Sequence, residues 1–142
     1  MKKVVLPILV FLLFSVMNVE VAAQDDAIRA SIDKIFKLCK DKQFEPASKM
    51  IAYSGSDAER NYKSVYNYSN KSEKSKVDRT CKKIKAFLDI SDSYEVGSAS
   101  SDSKMGPDFY TVKVSFKSGS QTLNTNFSFV KIGGSYALAE IE

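Results

Sequence analysis

The fold is decided by the end of the chain, where residues 127–142 read Phe127-Ser-Phe-Val-Lys-Ile-Gly-Gly-Ser-Tyr-Ala-Leu-Ala-Glu-Ile-Glu142. Apolar side chains recur at about every second position on both sides of the glycine pair, which is the pattern of half-buried strands. Gly133 and Gly134 both tolerate the positive φ angles of a type I′ turn. The stretch therefore predicts a β-hairpin whose strands cover about 121–132 and 135–141.

The segment before this hairpin has the same two-residue period. Every second residue is apolar at Tyr110, Val112, Val114 and Phe116. Residues 117–120 read Lys-Ser-Gly-Ser, which is typical of a hairpin turn. Tyr94 and Val96 begin an earlier strand that fades after Gly97. Four strands in sequence order, joined by short turns, predict an antiparallel meander.

The first half of the chain has the 3.6-residue period of helices instead. Two apolar stripes recur, one formed by Ile28, Ile32, Ile35, Phe36 and Cys39 and the other by Val77, Cys81, Ile84 and Leu88. They predict helices over about 26–42 and 76–89, and Glu45-Pro46 marks the start of a short helix between them. Residues 57–75 fit either a loop or a frayed helix. Helices followed by a meander define an α+β fold, in which the helices pack on a curved four-stranded antiparallel sheet.

The N-terminus has the layout of a secretory signal peptide. Met1-Lys2-Lys3 is basic, residues 4–17 are apolar, and Val21-Ala22-Ala23 supplies the small residues that signal peptidase requires. The apolar run is shorter than the ~20 residues of a transmembrane helix, so no stable membrane insertion is expected. These features predict cleavage near Ala23, a secreted or periplasmic protein, and a single mature domain over 24–142.

Cys39 and Cys81 are the only cysteines of the chain. Both lie on the apolar stripes of predicted helices, and an even cysteine number in an exported protein indicates a disulfide. A bridge between them would close a loop of about 42 residues and contribute roughly 4 kcal/mol to stability. The alternative is a pair of separate buried thiols.

The chain contains no histidine. This removes the most common general base and the most common metal ligand. A zinc site would then need cysteines or carboxylates, and the chain has only two cysteines. We therefore expect no metal, no cofactor and no catalytic residue.

Positive charge is concentrated in one segment, although the net charge of the chain is only +4. Nine basic residues face two acidic ones between Arg60 and Lys85. On the third predicted helix this basic patch comprises Arg79, Lys82, Lys83 and Lys85. Such a run fits either a cationic surface for an anionic partner or an ordinary solvated helix face. The mild net charge and the predicted export argue against a nucleic-acid partner.

In its element order and its 127–142 ending, the chain resembles the nuclear transport factor 2-like (cystatin-like) superfamily, in particular exported bacterial members of unknown function. An aromatic residue follows the last turn in those proteins, as Tyr136 does here. The resemblance implies a cone-shaped space between helices and sheet, holding either a filled core or a pocket for a small apolar ligand. We expect this space to be lined by Tyr94, Tyr110, Phe127 and Tyr136, with Glu140 pointing into it near its mouth.

Three functional hypotheses follow. The first is an exported, non-catalytic domain that binds a small apolar ligand or a protein partner. The superfamily also includes ketosteroid isomerase-like enzymes, so the second is a histidine-free pocket enzyme with Glu140 as base and a tyrosine as hydrogen-bond donor. The third is a cationic binder of anionic surfaces that uses residues 60–85.

The third strand carries apolar residues on both faces. If alternation holds, Leu123, Phe127 and Phe129 share one face, and Val130 and Ile132 share the other. A sheet with only one covered face should be polar on its outer face. Two explanations remain open. Either a β-bulge near Phe129-Val130 turns all five residues inward, or a homodimer covers the outer face of the sheet.

Overall fold

A computed structural model describes residues 5–102 and 104–142, with side chains from Val19 onward. Three helices precede four strands: α1 (Val5–Lys40), α2 (Phe44–Ser48), α3 (Lys71–Asp89), β1 (Ser93–Ser101), β2 (Phe109–Ser118), β3 (Gln121–Ile132) and β4 (Ser135–Ile141). The strands form one antiparallel sheet in the order β1-β2-β3-β4. The predicted α+β fold, with helices on a curved four-stranded meander, is confirmed.

Helix α1 is longer than the sequence pattern predicted, because it continues through the predicted signal segment from Val5. The basic start Met1-Lys2-Lys3 lies outside the described residues. Val19 and Val21 are mostly exposed, and the first core residue of α1 is Ile28. Over the described part of the chain, no helix has the length and apolar character needed to cross a membrane. Cleavage near Ala23 stays a prediction.

Helix α3 begins at Lys71, five residues before the predicted start at Lys76. Asn70 caps it, since its side-chain oxygen accepts hydrogen bonds from the backbone N–H groups of Ser72 and Glu73 at 3.0 and 3.3 Å. The buried stripe contains Val77, Cys81 and Ile84, as the sequence period predicted. The added first turn also brings Glu73 into the interior, where it is 6 % exposed.

The inner face of the sheet packs on α1 and α3 through an aromatic centre. Phe36 of α1 is 2 % exposed. Its ring centroid lies 5.1 Å from that of Tyr94, 5.9 Å from that of Phe116 and 5.3 Å from that of Phe127. Removing such a ring from a core costs about 3–5 kcal/mol, so Phe36 is a major anchor of helix to sheet.

Two polar side chains tie the start of the predicted mature domain to β1. The Asp25 carboxylate accepts the backbone N–H of Ala99 at 2.6 Å. Arg29 donates to the carbonyl oxygens of Val96 and Gly97 at 2.7 and 3.0 Å, and also pairs with Asp25. The pairing of β1 with β2 is irregular between Val96 and Ala99, so these contacts satisfy backbone groups at a break in the ladder.

The two cysteines meet in the core, as their stripes implied, but the structure contains free thiols and no disulfide. Both Cys39 and Cys81 are completely buried. A hydrogen bond with Cys81, together with burial, raises the pKa of the Cys39 thiol. The covalent bridge of the sequence analysis is therefore corrected to an adjacent pair of buried thiols.

The outer face of the sheet carries a second apolar cluster, which the chain itself covers. Phe109, Val130, Ala137 and Ala52 are buried in it, and Tyr62, Val65 and Met105 pack against them. The covering segment follows the edge of β4: Ile51 pairs in parallel with Leu138, and Ala52 pairs with Val65. Neither explanation given for the two apolar faces of β3 is needed at Val130, because residues 52–65 fold back over it.

The predicted register switch at Phe129-Val130 is absent, since β2 and β3 pair without interruption from Phe109↔Val130 to Ser118↔Gln121. Phe127 and Phe129 face the inner core, whereas Val130 and Ile132 face outward. Leu123 is 43 % exposed. A homodimer through the sheet stays a prediction, and any such contact would use the part of the outer face around Lys113 that residues 52–65 leave open.

A bulge does occur on the neighbouring strand. Ser128 pairs with Glu140 and Phe129 pairs with Leu138, so Ala139 is an extra residue in β4. Leu138 faces the inner core, and after the extra residue Glu140 lies opposite Ser128 on the outer face. Ile141 in turn packs against the inner core. Compared with uninterrupted alternation from Leu138 to Ile141, the bulge thus exchanges the faces of the last two side chains of the strand.

Candidate functional site

A cleft of about 650 Å³ lies on the outer face of the sheet, beside the second apolar cluster. Its apolar surface includes Met105, Phe109, Val130 and Ile132, and its polar wall includes Tyr62 and Glu140. A concave, largely apolar surface with a few fixed polar groups is the usual form of a small-molecule site. This cleft is therefore the candidate site.

Tyr62 forms one wall of the cleft and is held in an uncommon conformation. Its φ angle is +57°, which is rare for a bulky residue other than glycine. Its N–H donates to the Tyr53 carbonyl at 2.8 Å, and its ring packs edge-on against Phe109 with centroids 5.2 Å apart. The backbone bond and the ring contact together fix the direction of the Tyr62 hydroxyl.

That hydroxyl donates a hydrogen bond to Oε1 of Glu140 at 2.8 Å. Burial, followed by the bond to the Glu140 carboxylate, raises the pKa of Tyr62 to about 12. The phenol is therefore neutral at physiological pH and acts as a donor. Among the described residues no hydrogen bond uses the second carboxylate oxygen of Glu140, which lines the cleft and can accept from a further donor.

The opposite wall is a turn organised by Asp102. Its Oδ1 accepts the backbone N–H groups of Lys104 and Met105 at 3.0 and 3.3 Å, and its Oδ2 accepts the Thr111 hydroxyl at 3.0 Å. The Thr111 hydrogen bond, with the two backbone bonds, lowers the pKa of Asp102. The turn places Met105 and Phe109 at the cleft.

The segment that carries Tyr62 is fixed to α3 by an ion pair. Arg60 donates through both terminal nitrogens to the two oxygens of Glu73, at 2.8 and 3.0 Å. The Arg60 guanidinium lowers the pKa of Glu73, and the N–H of Asn67 adds a 2.6 Å bond to the same carboxylate. The guanidinium also lies 4.2 Å from the Tyr53 ring centroid. These contacts hold the covering segment in a fixed position against α3.

The four aromatic residues predicted to line a pocket separate into two groups. Tyr94 and Phe127 pack around Phe36 in the filled core, where Phe127 is completely buried. Tyr110 and Tyr136 form an edge-to-face pair with centroids 5.7 Å apart. Tyr136 also lines a groove of about 630 Å³ between α1, α2 and the β3–β4 turn. Glu140 joins neither group, because the Ala139 bulge places it on the opposite face, in the cleft with Tyr62.

The sequence analysis missed Tyr62, Phe109 and Val130 as site residues. Tyr62 reaches Glu140 across 78 residues, through a segment with no clear helix or strand period. The available signal was Val130 itself, an apolar residue on a face that the alternation assigned to solvent. It indicated a cover for the outer face without identifying which segment supplies it.

The predicted basic patch lies on the exposed side of α3. Arg79, Lys82 and Lys83 are exposed, whereas Lys85 is half-buried and pairs with Asp89. Lys83 donates to the Ile141 carbonyl at 3.0 Å. Within the described ranges, no group of three or more histidine, cysteine, aspartate or glutamate side chains is placed to hold a metal ion.

Helices packed on a curved four-stranded meander, with the last strands at the edge nearest α2, define an NTF2-like fold. A search of solved structures agrees: the chain is similar to the de novo designed NTF2 fold protein NT-9, with a TM-score of 0.51 and 12% sequence identity over 82% of this chain and 84% of that one. At this identity the similarity shows the fold alone. By sequence, the chain matches no family model and no curated protein.

Proposed function

We propose that this protein is an exported, non-catalytic domain that binds a small, mostly apolar ligand in the Tyr62–Glu140 cleft. The observation that carries the proposal is the Tyr62–Glu140 hydrogen bond at the edge of an apolar floor. A ligand with an apolar body and one hydrogen-bond donor fits both parts of the cleft, since its donor would meet the second oxygen of Glu140. Such molecules include apolar amines and alcohols.

The left-handed backbone at Tyr62 supports the proposal. A bulky residue in this region carries a cost of about 1–3 kcal/mol, which the surrounding structure must offset. The left-handed conformation positions the aromatic ring and the hydroxyl of Tyr62 against Glu140. Residues strained in this way cluster at binding sites.

The enzyme hypothesis receives less support from the same geometry. An isomerase of the kind considered would use a tyrosine hydroxyl to stabilise charge on a substrate oxygen. Here the Tyr62 hydroxyl donates to Glu140, the carboxylate that would have to act as the base.

Export is supported by the arrangement of α1. Val19 and Val21 are exposed, whereas contacts with the sheet begin at Asp25 and core burial begins at Ile28. Cleavage near Ala23 would therefore leave the described core contacts intact.

The proposal can be tested with N-phenyl-1-naphthylamine, an apolar dye with one N–H donor. We expect its fluorescence to rise on binding, and to do so less in the Ile132→Lys variant, which places a charge in the cleft. Leu123→Lys is the matched control, because Leu123 is an exposed apolar residue of the same strand away from the cleft. Equal dye binding by both variants, with loss in Leu38→Lys, would assign binding to the groove between α1 and α2 and contradict the proposal.

A further inference from the structure

We propose that the exposed face of α3 docks on an anionic, phosphate-bearing lipid surface, with Ile90 as an apolar anchor. The proposal concerns a second surface and goes beyond ligand binding in the Tyr62–Glu140 cleft.

The first observation is the charge on this face. Six basic residues of α3 are exposed: Lys71, Lys74, Lys76, Arg79, Lys82 and Lys83. The acidic residues of the helix are engaged elsewhere. Glu73 is buried against Arg60, Asp78 accepts the Tyr68 hydroxyl at 2.9 Å, and Asp89 pairs with Lys85. Between Lys71 and Lys83 every exposed charged residue is basic, and the exposed Asp89 lies beyond that stretch. Protein surfaces normally mix both signs of charge, so this stretch is a specific feature.

The second observation is the arrangement of these cations around Arg79. Lys76, Lys82 and Lys83 lie three or four positions from it, so all three are its neighbours on the helix surface. Like charges at this spacing repel one another in the absence of an anion. Clefts on both sides of Arg79 also carry lysines, one beside β4 with Lys76 and Lys83 and one along α3 with Lys71, Lys74 and Lys82. The planar guanidinium in the middle suits a phosphate group.

The third observation distinguishes a lipid surface from a soluble polyanion. Ile90 follows α3 as its C-cap, keeps a helical conformation, and is 64 % exposed. Helical spacing puts it one turn beyond the exposed Ala86, on the side of Arg79 and Lys83. The apolar stripe of α3 is buried in the core, so contact with a lipid surface would use the cations for the headgroups and the single side chain of Ile90 as the apolar anchor. A soluble polyanion has no apolar region in which the Ile90 side chain could be buried.

The test uses co-sedimentation of the protein, as isolated from cells, with vesicles of phosphatidylcholine alone or mixed with phosphatidylglycerol. We expect stronger binding to the mixed vesicles and loss of this difference at high salt. Arg79→Glu/Lys82→Glu should weaken binding to mixed vesicles about tenfold or more, since each cation near such a surface contributes measurably. Ile90→Ser should weaken binding without changing its salt dependence.

Lys40→Glu/Lys113→Glu is the matched control, because it changes the net charge equally at exposed positions on α1 and β2. It should retain most of the preference for mixed vesicles. Thermal unfolding of each variant identifies loss of fold, and the single variant Lys82→Glu gives a milder change if the double variant unfolds. Equal binding to both vesicle types would overturn the proposal. So would retention on heparin without vesicle binding, which would assign the face to a soluble polyanion.

Discussion

The Tyr62 hydroxyl donates to Glu140 at 2.8 Å and joins the covering segment to the last strand across 78 residues. Burial and this bond raise the pKa of Tyr62 to about 12, and burial and the hydrogen bond to Asp33 do the same for Tyr94. Because the folded pKa lies above the ordinary value of 10, the stabilisation is present below pH 10 and is lost as pH rises toward 12.

Ultraviolet titration of phenolate absorbance checks this expectation. Tyr62→Phe should remove one group that titrates near pH 12, and Glu140→Gln should move that group toward pH 10. Tyr94→Phe is the control that removes the other group and leaves the effect of Glu140→Gln in place. Titration of Tyr62 near pH 10 in the native protein would contradict the described hydrogen bond.

The Arg60–Glu73 pair predicts sensitivity to acid. Arg60 lowers the pKa of Glu73 below its ordinary value of 4.5, so the stabilisation is present above that pH and is lost as pH falls through the lowered pKa. Glu73→Gln should lower the free energy of unfolding at neutral pH by about 1–3 kcal/mol and reduce the loss on acidification. Chemical denaturation at neutral and acid pH measures both effects, with the exposed Glu45→Gln as control. Equal acid sensitivity in Glu73→Gln and the native protein would argue against the pair.

The intrachain cover over Val130 predicts the effect of a charge at that position. Val130→Lys should destabilise the fold by more than about 3 kcal/mol, because the lysine would be buried under residues 52–65 without a partner. Thr122→Lys, exposed on the same face of β3, should change stability little. Light scattering of both variants tests the homodimer as well. If Val130→Lys dissociates a dimer and leaves the monomer stable, the described cover is wrong.

The buried cysteine pair predicts slow thiol chemistry. Cys39 and Cys81 are completely buried free thiols, so both should react slowly with an alkylating agent in the folded protein and quickly once it unfolds. Intact mass after alkylation under native and denaturing conditions, both without reductant, measures this difference. A mass without alkylation under denaturing conditions would reveal a disulfide and contradict the described thiols.

The contact between the Cys39 and Cys81 thiols could be predicted from the sequence, because the helical period determines which side chains share a face. Phe36 and the inner residues of β2 were predictable for the same reason, since the two-residue period assigned Val112, Val114 and Phe116 to one face. The start of α3 was also predictable in principle, because Asn70 and Glu73 have the spacing of a helix cap. These features depend on residues within a few positions of one another.

The candidate site depended on long-range placement. Tyr62 is positioned by the covering segment, residues 52–65, which runs along the edge of β4 and is held by Arg60. No local sequence pattern predicts the course of this segment. Glu140 was assigned to the wrong face because a two-residue period carries no information about an inserted residue. The tertiary pairing of β3 with β4 decides where such a residue is accommodated.

The extra residue at Ala139 has a consequence for the evolution of this strand. Deleting it would place Glu140 directly after the inward-facing Leu138, so the carboxylate would stay opposite Ser128 on the outer face and Ile141 would stay at the inner core. The acidic wall of the cleft therefore tolerates a change of strand length at the bulge. In related chains, a one-residue gap at this position would be compatible with an intact acidic wall, as long as the residue after the gap is acidic.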